Sequence, residues 1–302
     1  MSARSARSLR LTALAAVGGT ALSLLAVPGA GAVTTPKAPT AAVLRVGYTA
    51  KERRAALAYW TPARMKAVGK SVDLGPTGPK SLPWKGTEMK TVGRLFFVNG
   101  DGADTWCTAT SVGGANRSVV IAAGHCVRRG ASPYTTYVDM VFVPGYRKGK
   151  LPYGAFAVRA TFTPRTWAEE AVNDVAALAV DTDAKGRALG DVVGGQRIAF
   201  NRRVGGNTVA FGYPATRPQR GEELLHCTGT AKPAPGREQA VPCDLGGGAS
   251  GGPWLADFDR ATGKGVLVSV NSHGDGLEHS THMYGPVLGA TAKSAYEQAQ
   301  HG

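Results

Sequence analysis

Ser250 lies in Gly247-Gly248-Ala249-Ser250-Gly251-Gly252-Pro253, and His125 lies far upstream in Ala122-Ala123-Gly124-His125-Cys126. A serine hydroxyl is a weak nucleophile, and it attacks well only when an imidazole takes its proton and a carboxylate fixes that imidazole's tautomer. Asn173-Asp174-Val175-Ala176-Ala177-Leu178 supplies such a carboxylate. Each motif has a bland reading by itself. A histidine before a cysteine is usually a core residue, an aspartate beside an apolar run a turn or cap, and a glycine-rich serine segment a loop. Together, in this order and with flanks suited to each role, they point to nucleophilic attack on an acyl group.

The order His125, Asp174, Ser250 is that of the chymotrypsin-type double barrel; subtilisins run Asp, His, Ser and α/β-hydrolases run Ser, Asp, His. With its flanks, this set resembles a secreted bacterial trypsin/chymotrypsin-like serine peptidase of family S1. The stretches Trp60-Thr61-Pro62-Ala63-Arg64-Met65, Val143-Pro144-Gly145-Tyr146, Gly212-Tyr213-Pro214-Ala215, Ser269-Val270-Asn271-Ser272 and Met283-Tyr284-Gly285-Pro286 are similar to a branch near the V8-like endopeptidases. The resemblance implies an all-β fold of two packed antiparallel barrels, with His125 and Asp174 from the first, Ser250 from the second and the cleft between them. It further implies a serine endopeptidase working through an acyl-enzyme, with Gly248 and Ser250 donating backbone N–H groups to the oxyanion and no cofactor or metal.

Two other readings compete. Gly248-Ala249-Ser250-Gly251-Gly252 also satisfies the G-x-S-x-G elbow of α/β-hydrolases, which would make the chain a secreted esterase. Only about fifty residues follow Ser250, too few for the βα units that must deliver the acid and the histidine. A non-catalytic peptidase-like binding protein would need a broken triad, and no member is missing.

The elements that must position these residues are legible in outline. Short β-rich runs recur at residues 94–98, 108–112, 118–122, 137–143, 156–160, 175–180, 197–201, 208–212 and 265–269, with turn signals between them. Residues 291–299 read as a short C-terminal helix with Thr291 as its N-cap. The domain is expected to span residues 92–302.

Upstream, Arg4, Arg7 and Arg10 precede an apolar run from Leu11 to Val27 and Ala30-Gly31-Ala32, the pattern of a signal peptide over residues 1–32 cleaved before Val33. Residues 33–91 read as a pro-segment and linker. An amphipathic helix spans residues 50–68, with Pro62 breaking it or starting a new turn, followed by a Gly/Pro-rich stretch through Gly86. The alternatives are a disordered basic tail and, preferred, a pro-segment that folds against the peptidase and, if inhibitory, covers its cleft. The product is expected to be secreted, extracellular and monomeric, with no membrane anchor after cleavage and with proteins or peptides as its substrates.

Four cysteines in an exported chain favour disulfides, with three possible connectivities. Zinc is disfavoured, because there is no C-x-x-C pair and His125 already has a role. The family resemblance implies the pairs Cys107–Cys126 and Cys227–Cys243. The net charge of +14 divides as +3 over residues 1–32, +8 over 33–90 and +3 over 91–302. Basicity thus sits upstream of a nearly balanced domain, and nucleic acid is excluded as a partner.

Primary specificity stays open between two readings. Asp244, six residues before Ser250, stands at the offset where trypsin-like enzymes place the carboxylate that receives Arg or Lys; alternatively it anchors the loop after Cys243. His273 on the opposite wall argues for an acidic residue, and Ser269 is the third pocket candidate. Two departures from the animal enzymes stand out. Ala249 replaces the aspartate that takes up a new N-terminus on activation, and Cys243 lies farther from Ser250 than the usual cysteine of this loop.

Overall fold

The computed structural model describes residues 42–68, 81–132, 135–276 and 280–302. The expected signal peptide and most of the Gly/Pro-rich linker lie outside the described residues. In chain order the elements are β1 (Val43–Gly47), α1 (Ala50–Tyr59), α2 (Pro62–Ala67), β2 (Leu82–Pro83), β3 (Val92–Val98), β4 (Asp104–Val112), β5 (Val119–Ala122), β6 (Val138–Pro144), β7 (Phe156–Pro164), α3 (Arg165–Glu170), β8 (Ala176–Val180), α4 (Leu189–Val193), β9 (Arg197–Ile198), β10 (Asn207–Gly212), β11 (Leu225–Thr230), β12 (Lys232–Ala234), β13 (Glu238–Pro242), β14 (Pro253–Asp259), β15 (Lys264–Val270), β16 (His273–Gly274), β17 (His282–Pro286) and α5 (Ala290–Ala299).

The first sheet runs β1-β7-β6-β3-β4-β5-β8, and β8 pairs back onto β7. Six antiparallel strands thereby close into a barrel, with β1 attached outside β7. Closure explains why β3, β5 and β8 read as nearly unbroken apolar runs: one face fills the barrel and the other lies under neighbouring elements. The second half differs from the expected closed barrel. It comprises a sheet β2-β11-β10-β14-β15-β9 and a separate sheet β12-β13-β17-β16, not joined by strand pairing among the described residues. What joins them is a core of Leu225, Val241, Leu245, Trp254 and Met283, together with the Cys227–Cys243 disulfide from β11 to the chain just after β13.

Residues 42–68 pack on the barrel. Thr49 caps α1 through a reciprocal box with Glu52 (3.3 and 2.6 Å), and Pro62 begins α2 under a Thr61 cap, so the proline starts a new helix. α1 lies on β6 and β7. Trp60 donates its Nε1–H to the Asp139 carbonyl at 2.6 Å and packs on Phe96, and Met65 is fully buried. Residues 81–84 instead join the second half: β2 pairs with β11, and Trp84 packs against Phe211 and Phe258.

The C-terminal helix forms where expected, with its cap corrected. Gly289, not Thr291, is the N-cap and offers no side-chain bond. Ala292, Ala295 and Ala299 face inward, and the helix lies on β7 and β8 of the first barrel.

Candidate active site

Strand register brings the histidine and the carboxylate to one end of the barrel. β5 and β8 are antiparallel with Ala122 opposite Ala176, so His125, three residues beyond the first, meets Asp174, two before the second. His125 occupies a 3-10 turn, Gly124–Cys126. The Cys107–Cys126 disulfide ties that turn to β4. On the other side Ala171 and Asn173 adopt left-handed backbone, and Asn173 is held by Thr166 at 2.9 Å. These bends turn the chain so that Asp174 faces inward.

The pair is tight. Asp174 Oδ2 lies 2.7 Å from His125 Nδ1, Oδ1 accepts the His125 backbone N–H at 2.8 Å, and the Ser272 hydroxyl donates to Oδ2 at 2.5 Å. The aspartate side chain is only 7 % exposed against 32 % for the histidine. Burial opposes the charged form of both groups. For Asp174 the His125 interaction and its donors outweigh burial and hold the carboxyl below its ordinary range; for His125 the Asp174 charge and hydrogen bond outweigh it and raise the imidazole.

Ser250 approaches from the second half. Its carbonyl accepts the Thr108 N–H at 2.8 Å, one residue from Cys107. Gly251, at φ +77°, lies so close to the barrel that a Cβ there would stand 2.4 Å from the Thr108 carbonyl and 2.9 Å from the Ala123 amide. The nucleophile loop therefore abuts the two residues that lead into the histidine turn. Among the described residues no hydrogen bond joins Ser250 to His125; catalytic bonds are often long before substrate binds.

Two adjoining cavities share Ser272 and His273. One of about 450 Å³ is lined by Ser250, Asp244, Arg217, Gly247 and Met283, the other of about 550 Å³ by His125, Asp174, Trp167, Val172 and Glu238. Residues 42–68, expected to cover the cleft if inhibitory, line neither cavity.

The pocket candidates fare unequally. Asp244 reaches the cavity wall but is already partnered: it is 1 % exposed, Ser81 N–H donates to Oδ1 at 2.5 Å, the Arg217 guanidinium lies 3.8 Å from Oδ2, and Arg217 Nε donates to the Asp244 carbonyl at 3.0 Å. These contacts are of the kind a loop anchor makes. His273 does line the wall; its Nε2 lies 3.1 Å from Glu238 and its ring stacks on Tyr284. Burial works against its charged form, but the Gly274 carbonyl and Glu238 outweigh it and raise its pKa. Ser269 is not at the cavity; fully buried, it donates to the Pro286 carbonyl at 2.8 Å.

Sequence reasoning passed over Ser272 and Asn271, although both end the stretch Ser269-Val270-Asn271-Ser272. Asn271 is fully buried, accepts from Trp254 Nε1 at 2.7 Å and donates to the Phe211 and Ala249 carbonyls at 2.8 and 2.9 Å. A polar pair closing a β-branched strand after the serine loop was the available signal. Cys107, His125 and Cys126 also cluster closely, but the two sulfurs are bonded to each other and have no thiolate to offer a metal.

A β-barrel holds an imidazole against a buried carboxylate, and a serine loop lines the adjoining cavity, an arrangement suited to the class of hydrolases that work by general-base catalysis. Solved structures narrow the class. The chain is similar to the protease Anisep from Arthrobacter nicotinovorans at 38 % identity and a TM-score of 0.66, over 72 % of this chain and 98 % of that one. It is similar to the thermostable serine protease AL20 from an extremophilic microorganism at 34 % identity and a TM-score of 0.65, over 70 % and 98 %. A Glu endopeptidase shares the fold at 17 % identity and a TM-score of 0.60, over 77 % and 100 %. No family profile and no curated protein matches the chain. The chain belongs to the bacterial serine proteases of the family S1 type. Among the described residues no helix is long and apolar enough to cross a membrane.

Proposed function

We propose that the chain is a secreted serine endopeptidase in which Ser250 is the nucleophile, His125 the general base and Asp174 the group that orients it. The carrying observation is the Asp174 clamp on His125, with the Ser250 loop seated on the strand and turn that hold the histidine. On this reading Ser250 Oγ attacks the scissile carbonyl, and its proton passes to His125 Nε2. The imidazolium is stabilised by Asp174, whose charge is preserved by the Ser272 and backbone donors. The oxyanion is met by the N–H groups of Gly248 and Ser250. His125 then protonates the leaving amine, and water, deprotonated by His125, releases the acyl group from Ser250. The two sheets of the second half serve as the second barrel of the fold, its core and disulfide substituting for closure by pairing.

For the primary pocket we infer a preference for an acidic side chain over Arg or Lys. The Asp244 carboxylate is engaged by Ser81 and Arg217, and Asp275 is filled by Ser280, Thr281 and His282. His273, whose charged form burial opposes but the Gly274 carbonyl and Glu238 favour, lies on the same wall. The similarity in fold to a Glu endopeptidase agrees with this, as does a place near the V8-like branch. Fluorophosphonate labelling tests the chemistry: Ser250 should carry the label, and Ser250→Ala should neither label nor digest denatured casein. A peptide-library profile tests the pocket. Cleavage after Glu or Asp at least tenfold faster than after Arg or Lys is expected, and the reverse ratio overturns the pocket reading alone.

A further inference from the structure

The loop before the nucleophile holds its own shape only through turn bonds, Ala249 N–H to the Gly246 carbonyl at 3.1 Å and Gly252 N–H to the Ala249 carbonyl at 3.0 Å. Gly246, Gly247 and Gly248 carry no side chains, and glycine loses more conformational freedom on ordering than any other residue. Its orientation must come from outside, and the hydrogen bonds show from where. The Gly247 carbonyl accepts from Ala215 N–H at 2.7 Å, the Gly248 carbonyl from the Thr108 hydroxyl at 2.9 Å, the Ala249 carbonyl from Asn271 Nδ2 at 2.9 Å and the Ser250 carbonyl from Thr108 N–H at 2.8 Å. In a trans peptide the N–H points opposite the preceding carbonyl. Pinning the carbonyls of Gly247 and Ala249 therefore aims the N–H groups of Gly248 and Ser250.

One hydroxyl links most of this system. Thr108 Oγ1 accepts the Tyr213 N–H at 2.9 Å while donating to Gly248. It thus ties the loop to the segment whose Ala215 holds Gly247. Thr108 is fully buried on β4, next to Cys107, which is bonded to the neighbour of His125. Trp106, two residues earlier, donates to the Tyr213 carbonyl at 3.0 Å. Gly248, at φ +87°, lies against both: a Cβ there would stand 2.7 Å from that carbonyl and 2.9 Å from Trp106 Nε1. Beneath Trp106 the buried Arg94 guanidinium packs 3.8 Å from the ring and pairs with Glu222 at 3.4 Å. The base and the oxyanion donors are hence fixed from the same strand.

We propose that Thr108 is a positioning residue for the oxyanion hole: its hydroxyl bridges the Gly248 carbonyl to the Tyr213 N–H and so ties the loop to the segment whose Ala215 pins the Gly247 carbonyl. The proposal rests on the serine-peptidase reading. It makes the hole a product of contacts from β4, the Tyr213–Ala215 segment and Asn271 together, independent of any charge at position 249.

The test uses the exported protein with Thr108→Val, which keeps shape and removes the hydroxyl, and Thr108→Ser, which keeps the hydroxyl. Dye-quenched casein reports turnover, and phenylboronic acid, which becomes tetrahedral on a catalytic serine, reports the hole. Thr108→Val should lower kcat by about 10- to 100-fold, below the full loss of an oxyanion donor, with KM within about twofold. Phenylboronic acid inhibition should weaken by the same factor as kcat, and Thr108→Ser should restore both to within about threefold. A merely structural threonine would lower the melting temperature without that joint loss. Unchanged kcat in Thr108→Val, lost kcat with unchanged boronate inhibition, or Thr108→Ser as impaired as Thr108→Val would each overturn the proposal. If Thr108→Val does not fold, Thr108→Ala is held to the same outcomes. Ser250→Ala separates the two claims: if it still digests casein, the nucleophile reading falls and the clamp with it, whereas an inert Ser250→Ala beside a fully active Thr108→Val removes the clamp alone.

Discussion

The two halves of the molecule hold their share of the site by different means. In the first, backbone pairing closes the barrel, and the Ala122–Ala176 register brings the segments bearing His125 and Asp174 to one end. In the second, two sheets meet without pairing, and the Ser250 loop is held by a few single contacts, from Asn271 and the Ala215 N–H within the half and from Thr108 of the first, beside a disulfide-tied core. A ladder repeats one interaction many times and tolerates the loss of any one bond. A loop held by a few buried polar contacts does not, since each orphaned group costs about 1–3 kcal/mol. The base is thus robustly placed, and the nucleophile and oxyanion loop are the sensitive part.

The largest test of this division lies at the triad, where the halves act as one. Ser250→Ala and His125→Ala should each lower kcat by about 10⁴-fold or more, and the double variant should be little worse than either single, because nucleophile and base work as a unit. Asp174→Asn should cost about 10⁴-fold through loss of tautomer control. Multiplicative losses in the double variant would mean that the two residues serve separate functions.

What was legible in the sequence follows the same division. Nine β runs, the C-terminal helix, the Pro62 restart and the triad candidates all stand in local patterns: apolar runs, a proline and short motifs with fixed order. Apart from β1, the strands that went unread, β2, β11, β12, β13, β14, β16 and β17, all lie in the second half, where β9, β10 and β15 were read. β11 and β13 mix polar and apolar residues because each has one face on the small core and one on solvent, and β12 and β16 are very short. β1 was missed because it is a lone edge strand in a segment otherwise read as helix and linker. Asp244 was read by its offset from Ser250, which says nothing of the Arg217 and Ser81 that meet it from 27 and 163 residues away. Ser272 and Thr108 act through contacts across the halves, and no local pattern encodes those.

The N-terminal segment carries the comparison further, because residues 42–68 belong to the first half and residues 81–84 to the second. Trp60→Ala should destabilise the protein by about 3–5 kcal/mol, the usual cost of removing a buried aromatic, yet leave kcat and KM of the folded protein unchanged, since Trp60 lines neither cavity. Ser81→Pro removes the N–H that Asp244 accepts, along with the Ser81 hydroxyl, and fixes φ there. It should cost about 1–3 kcal/mol as a buried acceptor loses its donor and raise KM on peptide substrates several-fold, because Asp244 lines the pocket. The working enzyme would then begin at or before Ser81, and a chain starting at Val92 should be less active than one starting at Ser81. Thermal melts with steady-state kinetics decide it; a Trp60→Ala effect on KM, or none from Ser81→Pro, would reverse the assignment of the segments.

The smallest expected effect is a shift in pH dependence, in which the second half tunes the first. His125 must be neutral to accept the serine proton, so activity rises with pH as the imidazolium deprotonates. Burial alone would lower its pKa, but the Asp174 charge and hydrogen bond outweigh burial, so the acid limb of kcat/KM should have its midpoint above 6.5, the ordinary histidine value. Asp174→Asn leaves the burial and removes the charge, and the residual activity should show a midpoint moved to lower pH. Ser272→Ala acts in the opposite sense. The Ser272 hydroxyl shares Oδ2 with His125 and stabilises the carboxylate, so its removal leaves more of the Asp174 charge to hold the imidazolium. The midpoint should rise, by less than about one pH unit since one unit corresponds to ~1.4 kcal/mol. Initial rates from pH 5 to 9 on the three proteins give the three midpoints. Shifts of the same sign in both variants would mean that Ser272 supports His125 through the general shape of the cleft and not through the carboxylate they share.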